Sequence, residues 1–185
     1  MNRICAVLAF LLFSLSFGAQ SHAQTAGADG LSWYTDVNKA HQESLKSKKP
    51  IFGFFTGSDW CYWCKKLQNE VFSKPEFVAW AKKSVVLLEL DFPRNKQLPQ
   101  ELASQNASLQ QAFQVPGYPT IWIFNLEQGT GDKNFNIQPW GSLGYPSGAE
   151  AGKEEVKFLQ NAAVIMEAKA PKVEETPKKK KSKRA

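Results

Sequence analysis

The stretch that decides the fold is FTGSDWCYWCKKL, residues 55–67, in which two cysteines are separated by two residues. It begins inside the almost entirely apolar run PIFGFFT, residues 50–56, which is typical of a strand buried on both faces. Residues 57–60 form a predicted turn, and a helix is predicted to begin at Cys61. The two cysteines therefore lie where a buried strand gives way to a helix.

The positions of Cys61 and Cys64 predict disulfide exchange. Free backbone N–H groups and the helix dipole stabilise an anion at a helix N-terminus, so we expect the pKa of the Cys61 thiol to lie below its free value of ~8.5. Lys65 and Lys66 act in the same direction. Cys64 lies one turn later, on the apolar side of the helix, and is expected to be buried. An exposed thiolate attacks and a buried thiol resolves the mixed disulfide in such exchange.

The cysteine pair has three alternative uses besides disulfide exchange. A structural zinc site needs four ligands, whereas Cys5 and His22 fall in a predicted signal segment and His41 lies on a predicted helix face. A purely structural disulfide would close a very short loop and stabilise the chain little. A Cu(I) site with two thiolate ligands is the remaining alternative. The sequence predicts no bound metal and no cofactor.

Strands and helices alternate on both sides of this stretch. From Asp36, a candidate N-cap together with Thr35, the predicted order is helix, strand, helix, helix, strand, helix, strand, strand, helix. Capping boxes at residues 73–76 and 147–150 predict two of the helix starts, and residues 31–34 predict a weak edge strand. The pattern predicts an α/β fold, in which a central mixed sheet carries helices on both faces.

The inner faces of two helices are also predicted from apolar spacing. The first helix is expected to bury Val37, Ala40, His41 and Leu45. The last is expected to bury Val156, Leu159, Ala163 and Met166.

A second motif, VPGYPT at residues 115–120, runs directly into a predicted strand. Pro119 stands at the first position of that strand, and the residue before it, Tyr118, is aromatic. This makes the Tyr118–Pro119 bond a good candidate for the cis form.

The WCxxCK motif at residues 60–65, followed about fifty-five residues later by Tyr118-Pro119-Thr120, resembles the thioredoxin-fold superfamily over roughly residues 31–166. The lead-in TGSDWC is similar to that of secreted bacterial thioredoxin-like proteins. The resemblance implies that Cys61 is the nucleophile and Cys64 the resolving thiol. It also implies that Pro119 faces the disulfide and that a substrate chain pairs with the backbone of Tyr118. The supporting or substrate-binding residues are then Trp60, Tyr62, Trp63, Lys65, Tyr118 and Pro119.

Two departures from thioredoxin itself affect the function. Tyr62 and Trp63 stand between the cysteines where thioredoxins have glycine and proline, which suggests an apolar docking surface for an extended polypeptide. Thioredoxins also carry a buried aspartate on the strand before the motif, where this chain has only Phe54 or Phe55.

The predicted function is that of a thiol–disulfide oxidoreductase acting on cysteines of exported proteins. A reductase or isomerase is favoured over a primary oxidase, because no segment is long enough to hold the inserted helical domain of bacterial disulfide oxidases. A chaperone or binding module with an incidental dithiol, or a copper-handling protein, is the alternative. The predicted partners are protein thiol or disulfide substrates and an unidentified redox partner that recycles the dithiol.

The N-terminus predicts export. Arg3 precedes an apolar run at residues 4–17, and small residues precede a candidate cleavage site before Gln24. Residues 1–23 are therefore predicted to be a signal peptide, and the mature protein is predicted to be periplasmic or secreted. Residues 24–30 are predicted to be a flexible segment, and residues 31–167 the thioredoxin-like domain.

The net charge of +6 lies mostly in a lysine-rich tail, residues 168–185. This segment has little apolar surface to bury and is predicted to be disordered. Its alternative role is electrostatic contact with an anionic surface. The rest of the chain is close to neutral and has no predicted basic face, so nucleic acid is not a predicted partner.

Overall fold

A computed structural model describes residues 25–26, 30–128 and 135–169. Its secondary structure follows the predicted order, with a short additional strand at the start. The strands are β1 (Thr25–Ala26), β2 (Ser32–Tyr34), β3 (Ile51–Thr56), β4 (Val86–Asp91), β5 (Thr120–Gln128) and β6 (Phe135–Leu143). The helices are α1 (Val37–Ser47), α2 (Tyr62–Leu67), α3 (Pro75–Ser84), α4 (Gln100–Ala112) and α5 (Glu154–Lys169). A π-helical turn, Gln68–Phe72, continues α2.

The strands form one mixed sheet in the order β1-β2-β4-β3-β5-β6. Strand β4 runs parallel to β2 and β3, whereas β5 runs antiparallel to β3 and β6. The predicted α/β class, central mixed sheet and antiparallel closing pair are confirmed.

Strand β3 is buried along its whole length, as its apolar sequence predicted. Because side chains alternate along a strand, Phe52 and Phe54 face one layer and Ile51 and Phe55 the other. The first layer contains α2, its π-helical turn, α3 and α5. The second contains α1 and α4. The cysteines belong to the first layer, so one face of the sheet supports the whole of α2.

Both predicted capping boxes are wrong. The Ser73 hydroxyl donates to the carbonyl of Asn69 instead of capping α3, which begins at Pro75 after an N-cap at Lys74. Proline is well suited to the first helical turn because its missing N–H has no helical partner there. Helix α5 begins at Glu154, several residues after the predicted start near Ser147. The Asp36 N-cap of α1 is confirmed, since its carboxylate accepts hydrogen bonds from two backbone N–H groups.

Two predicted core positions are also wrong. Leu45 of α1 is 64% exposed. Ser44 is buried instead, and its hydroxyl donates a hydrogen bond to the carbonyl of Lys49. Val156 of α5 is 47% exposed, because the helix turns Phe158 toward the core. In both helices the inner face lies slightly away from the one that apolar spacing indicated.

The ends of the chain are only partly described. Residues 1–24, which contain the predicted signal peptide, and residues 170–185 of the predicted tail lie outside the described residues. Thr25 and Ala26, in the segment predicted to be flexible, pair with Trp33 and Ser32 of β2. None of the helices in the described ranges has the length and apolar composition needed to cross a membrane.

Candidate redox site at the start of α2

Cys61 and Cys64 form a disulfide with their Cα atoms 5.3 Å apart. Cys61 is the N-cap of α2, and its sulfur accepts a hydrogen bond from the backbone N–H of Cys64 at 3.2 Å. Cys64 is completely buried, while Cys61 keeps 5% of its surface exposed. The expectation of an exposed Cys61 is therefore wrong for the oxidised form, because the turn and helix around it cover nearly all of the residue.

Two carboxylates fix the turn that precedes Cys61. Asp91, at the end of β4, accepts hydrogen bonds from the backbone N–H of Ser58 at 2.8 Å and from its hydroxyl at 2.7 Å. Asp59 accepts hydrogen bonds from the backbone N–H groups of Arg94 and Asn95, the closest at 2.6 Å. The serine and aspartate of the TGSDWC lead-in therefore join the turn to β4 and to the loop after it.

The charge of Asp59 follows from these contacts. Desolvation works to raise the pKa of its carboxyl, but the N–H groups of Arg94 and Asn95 outweigh desolvation and hold that pKa below its ordinary value. The carboxylate is thus ionised throughout the neutral range. Lys65 also reaches this turn, where its ammonium donates to the carbonyl of Asp59 at 3.1 Å.

Trp60 packs over the turn beside the disulfide. Its indole N–H donates to the carbonyl of Phe92 at 2.8 Å, and its ring lies 5.7 Å from that of Tyr118. A side chain at Gly57 would clash with the indole, since a Cβ atom there would lie 2.4 Å from the ring. The glycine of the lead-in is therefore needed for the close approach of Trp60.

The structure places the second sequence motif on the same side of the molecule as Trp60. The Tyr118–Pro119 bond is cis, as predicted. The Tyr118 hydroxyl accepts a hydrogen bond from the Gln110 side chain at 2.7 Å, and its ring also packs on Phe92. The contact between Trp60 and Tyr118 links the motif to the turn that carries Cys61.

The two residues between the cysteines are exposed aromatics. Tyr62 is 69% exposed and Trp63 is 49% exposed. The Trp63 ring lies 5.0 Å from that of Tyr145, and the Lys66 ammonium lies 5.4 Å and 5.3 Å from the centres of these two rings. Trp63, Lys66 and Tyr145 also line a cleft of about 320 Å³. An apolar surface therefore adjoins the disulfide on the α2 side.

Comparison with known proteins matches this architecture to one family. The model of the thioredoxin-like domain family matches residues 37–135, more than half of the chain. The chain belongs to the thioredoxin-like domain family. The predicted resemblance is therefore confirmed.

Individual relatives extend the match. The chain is 33% identical over 120 residues to the disulfide bond reductase DsbH of Chlamydia pneumoniae, covering 65% of this chain and 71% of that protein. It is 26% identical over 162 residues to the thioredoxin-related protein DsbJ of the same organism, covering 88% of this chain but only 45% of DsbJ. A solved structure of a DsbH oxidoreductase superposes with a TM-score of 0.58 at 26% identity, over 74% of this chain and 85% of that one.

This thioredoxin-like domain carries a half-buried carboxyl that the sequence did not reveal. Glu89 of β4 pairs in register with Phe54 of β3, so its side chain projects into the layer that contains the disulfide. Burial, and secondarily the charge of Asp91, raise the pKa of Glu89 above its ordinary value, while Lys96 acts in the opposite direction. The expected absence of an acidic residue from β3 itself is correct, because both candidate positions are phenylalanines. The sequence offered no local signal for a carboxyl on the neighbouring strand.

Proposed function

We propose that the protein is a thiol–disulfide oxidoreductase that reduces or isomerises disulfides of exported proteins. The predicted enzyme class is confirmed by the Cys61–Cys64 disulfide in a thioredoxin-like domain and by relatives named for disulfide reduction. The observation that carries the proposal is the Cys61–Cys64 disulfide at the N-terminus of α2, where Cys61 is the N-cap residue.

In the proposed reduction, the Cys61 thiolate attacks one sulfur of a substrate disulfide, and the other substrate sulfur leaves as a thiolate. Cys61 is then joined to the substrate by a mixed disulfide. Cys64 loses its proton and attacks the Cys61 sulfur, which releases the second substrate thiolate and forms the Cys61–Cys64 disulfide. The released thiolates take up protons from the solvent. An unidentified dithiol partner supplies the two electrons that return the pair to the reduced form.

Reduction is preferred to oxidation on two grounds. One relative is named a disulfide bond reductase. The described elements are also those of a single sheet with its flanking helices, without an inserted helical domain in residues 30–128 and 135–169.

The substrate is proposed to dock across the aromatic residues at the disulfide. Tyr62 and Trp63 provide exposed apolar surface, Trp60 and Tyr118 form its opposite side, and the backbone beside Pro119 accepts the extended chain. Lys65 supports this surface through its bond to the turn. Export follows from the signal sequence proposed at residues 1–23, and the basic tail is proposed to contact an anionic surface without taking part in the chemistry.

Trapping of substrates tests the proposal. In Cys64→Ser protein, the mixed disulfide at Cys61 cannot be resolved, so covalent complexes with protein substrates should accumulate on non-reducing gels. Cys61→Ser protein is the matched control and should trap none. A Cys64→Ser variant without complexes, together with full function of Cys61→Ser protein, would instead identify a binding module whose dithiol is incidental.

A further inference from the structure

Arg94 places a positive charge beside the redox site. Its guanidinium carbon lies 3.7 Å from the centre of the Trp60 ring, close enough for a cation–π contact. Trp60 immediately precedes Cys61 in the chain. A substrate bonded to the Cys61 sulfur would therefore have its neighbouring residues within reach of Arg94.

The position of Arg94 is fixed at both its backbone and its side chain. Its backbone N–H donates to Asp59 at 3.0 Å, and the N–H of Asn95 donates to the same carboxylate. The indole under the guanidinium is itself held by its bond to the carbonyl of Phe92. A side chain that is already oriented loses less conformational freedom when it binds a ligand.

The guanidinium also keeps its capacity to bind an anion. Across residues 25–26, 30–128 and 135–169, no ion pair includes Arg94, although it is exposed. Neighbouring charges are engaged elsewhere, because Lys96 pairs with Asp91 at 3.0 Å and the Asp59 carboxylate accepts backbone N–H groups. The planar guanidinium presents donors that match the two oxygens of a carboxylate.

We propose that Arg94 is a specificity-determining residue that binds an aspartate or glutamate side chain near the reactive cysteine of a polypeptide substrate. This inference rests on the proposed oxidoreductase function and names the substrate that the site prefers. Arg94 takes no part in the electron transfer. Its effect is on how fast the matching substrate reacts.

Two symmetric disulfide-linked peptide dimers test the inference. They are identical except for glutamate or glutamine two residues from the cysteine, so attack on either sulfur gives the same product. The reduced full-length protein should reduce the glutamate dimer roughly two- to fivefold faster, which is the range expected for one exposed ion pair. Arg94→Gln should remove this preference, so that the glutamate and glutamine dimers react at the same rate. Added salt should weaken the preference of the native protein.

Two further variants serve as controls. Lys46→Gln removes an exposed positive charge in the last turn of α1, on the other face of the sheet, and should keep the glutamate preference. Arg94→Lys retains the charge without the planar donor group and should keep only part of it. Equal rates for the two dimers with native protein, or an undiminished preference in Arg94→Gln, would overturn the inference. Failure of native protein to reduce either dimer would instead contradict the proposed oxidoreductase function.

Discussion

Individual residues around the disulfide are held by contacts with the neighbouring strand and loop. Asp91 holds Ser58, Asp59 holds the loop of Arg94, and the missing side chain of Gly57 leaves room for Trp60. Gly57, Ser58, Asp59 and Trp60 lie within four positions of Cys61. Asp91 and Arg94 are hydrogen-bonded to two of them. The TGSDWC lead-in thus sets the backbone from which α2 begins.

Replacement of Glu89 tests how much a carboxyl in the layer that contains the disulfide destabilises the folded protein. Its pKa in the folded protein is raised above the ordinary 4.5, so the native state holds the proton to higher pH than the unfolded chain. The contribution of Glu89 to the free energy of unfolding is therefore greatest below about pH 4.5, and it is lost as the pH rises through the pKa of the folded protein. We expect Glu89→Gln to be more stable than native protein at pH 8 and to differ less from it at pH 4, as measured by urea denaturation at each pH.

The control for this prediction is Glu101→Gln, which removes an exposed carboxyl in the first turn of α4. It should show no comparable gain at pH 8. A Glu89→Gln variant that is equally destabilised at both pH values would show that the carboxyl makes a favourable contact instead.

At the scale of the element, the loop after β4 behaves as part of the redox site, because Asp59 joins it to the turn before α2. In Asp59→Ala protein the amides of Arg94 and Asn95 lose their acceptor. Their hydrogen exchange should become roughly tenfold faster, the factor expected for loss of one hydrogen bond to a charged group. Hydrogen-exchange mass spectrometry with peptide-level resolution measures this change.

Glu150→Ala is the matched variant for the loop experiment, since Glu150 is exposed and pairs with Lys153 in the segment before α5, away from Asp59 in the sequence. Exchange at residues 94 and 95 should be unaltered in it. Undiminished protection of those amides in Asp59→Ala would mean that the loop is held by contacts other than Asp59.

Prediction from sequence succeeded where local order carries the information. The buried strand β3 and the start of α2 follow from apolar runs and turn residues that are adjacent in the chain. Arg94 and Glu89 were missed because their contacts join segments about thirty residues apart, and neither residue belongs to a local motif. The start of α5 was misplaced for a related reason: Ser147–Glu150 has the spacing of a capping box, but the chain makes other turns there before the helix begins.

At the scale of the molecule, the two faces of the sheet carry different groups. The face that packs on α2, α3 and α5 carries the disulfide and Glu89, while the face that packs on α1 and α4 holds an apolar layer without cysteines among the described residues. Changes in the second layer should therefore alter the stability of the domain more than its redox chemistry.

His41 of α1 provides the test of this separation. It is 5% exposed and its ring lies 5.0 Å from the Phe135 ring. Its Nδ1 atom is buried and has no hydrogen-bond partner among the residues that the structure describes. Burial lowers the pKa of His41 below 6.5, so the unfolded chain binds the proton more readily than the native state. Stability should consequently fall as the pH drops below about 6.5, down to the folded pKa.

Urea denaturation between pH 8 and pH 5 should show this fall in native protein and a smaller one in His41→Gln. The equilibrium of the Cys61–Cys64 pair with glutathione at pH 7 should be the same in both proteins. An equally steep loss of stability in His41→Gln would assign the pH dependence to other groups, and a shifted glutathione equilibrium would show that the two faces are coupled.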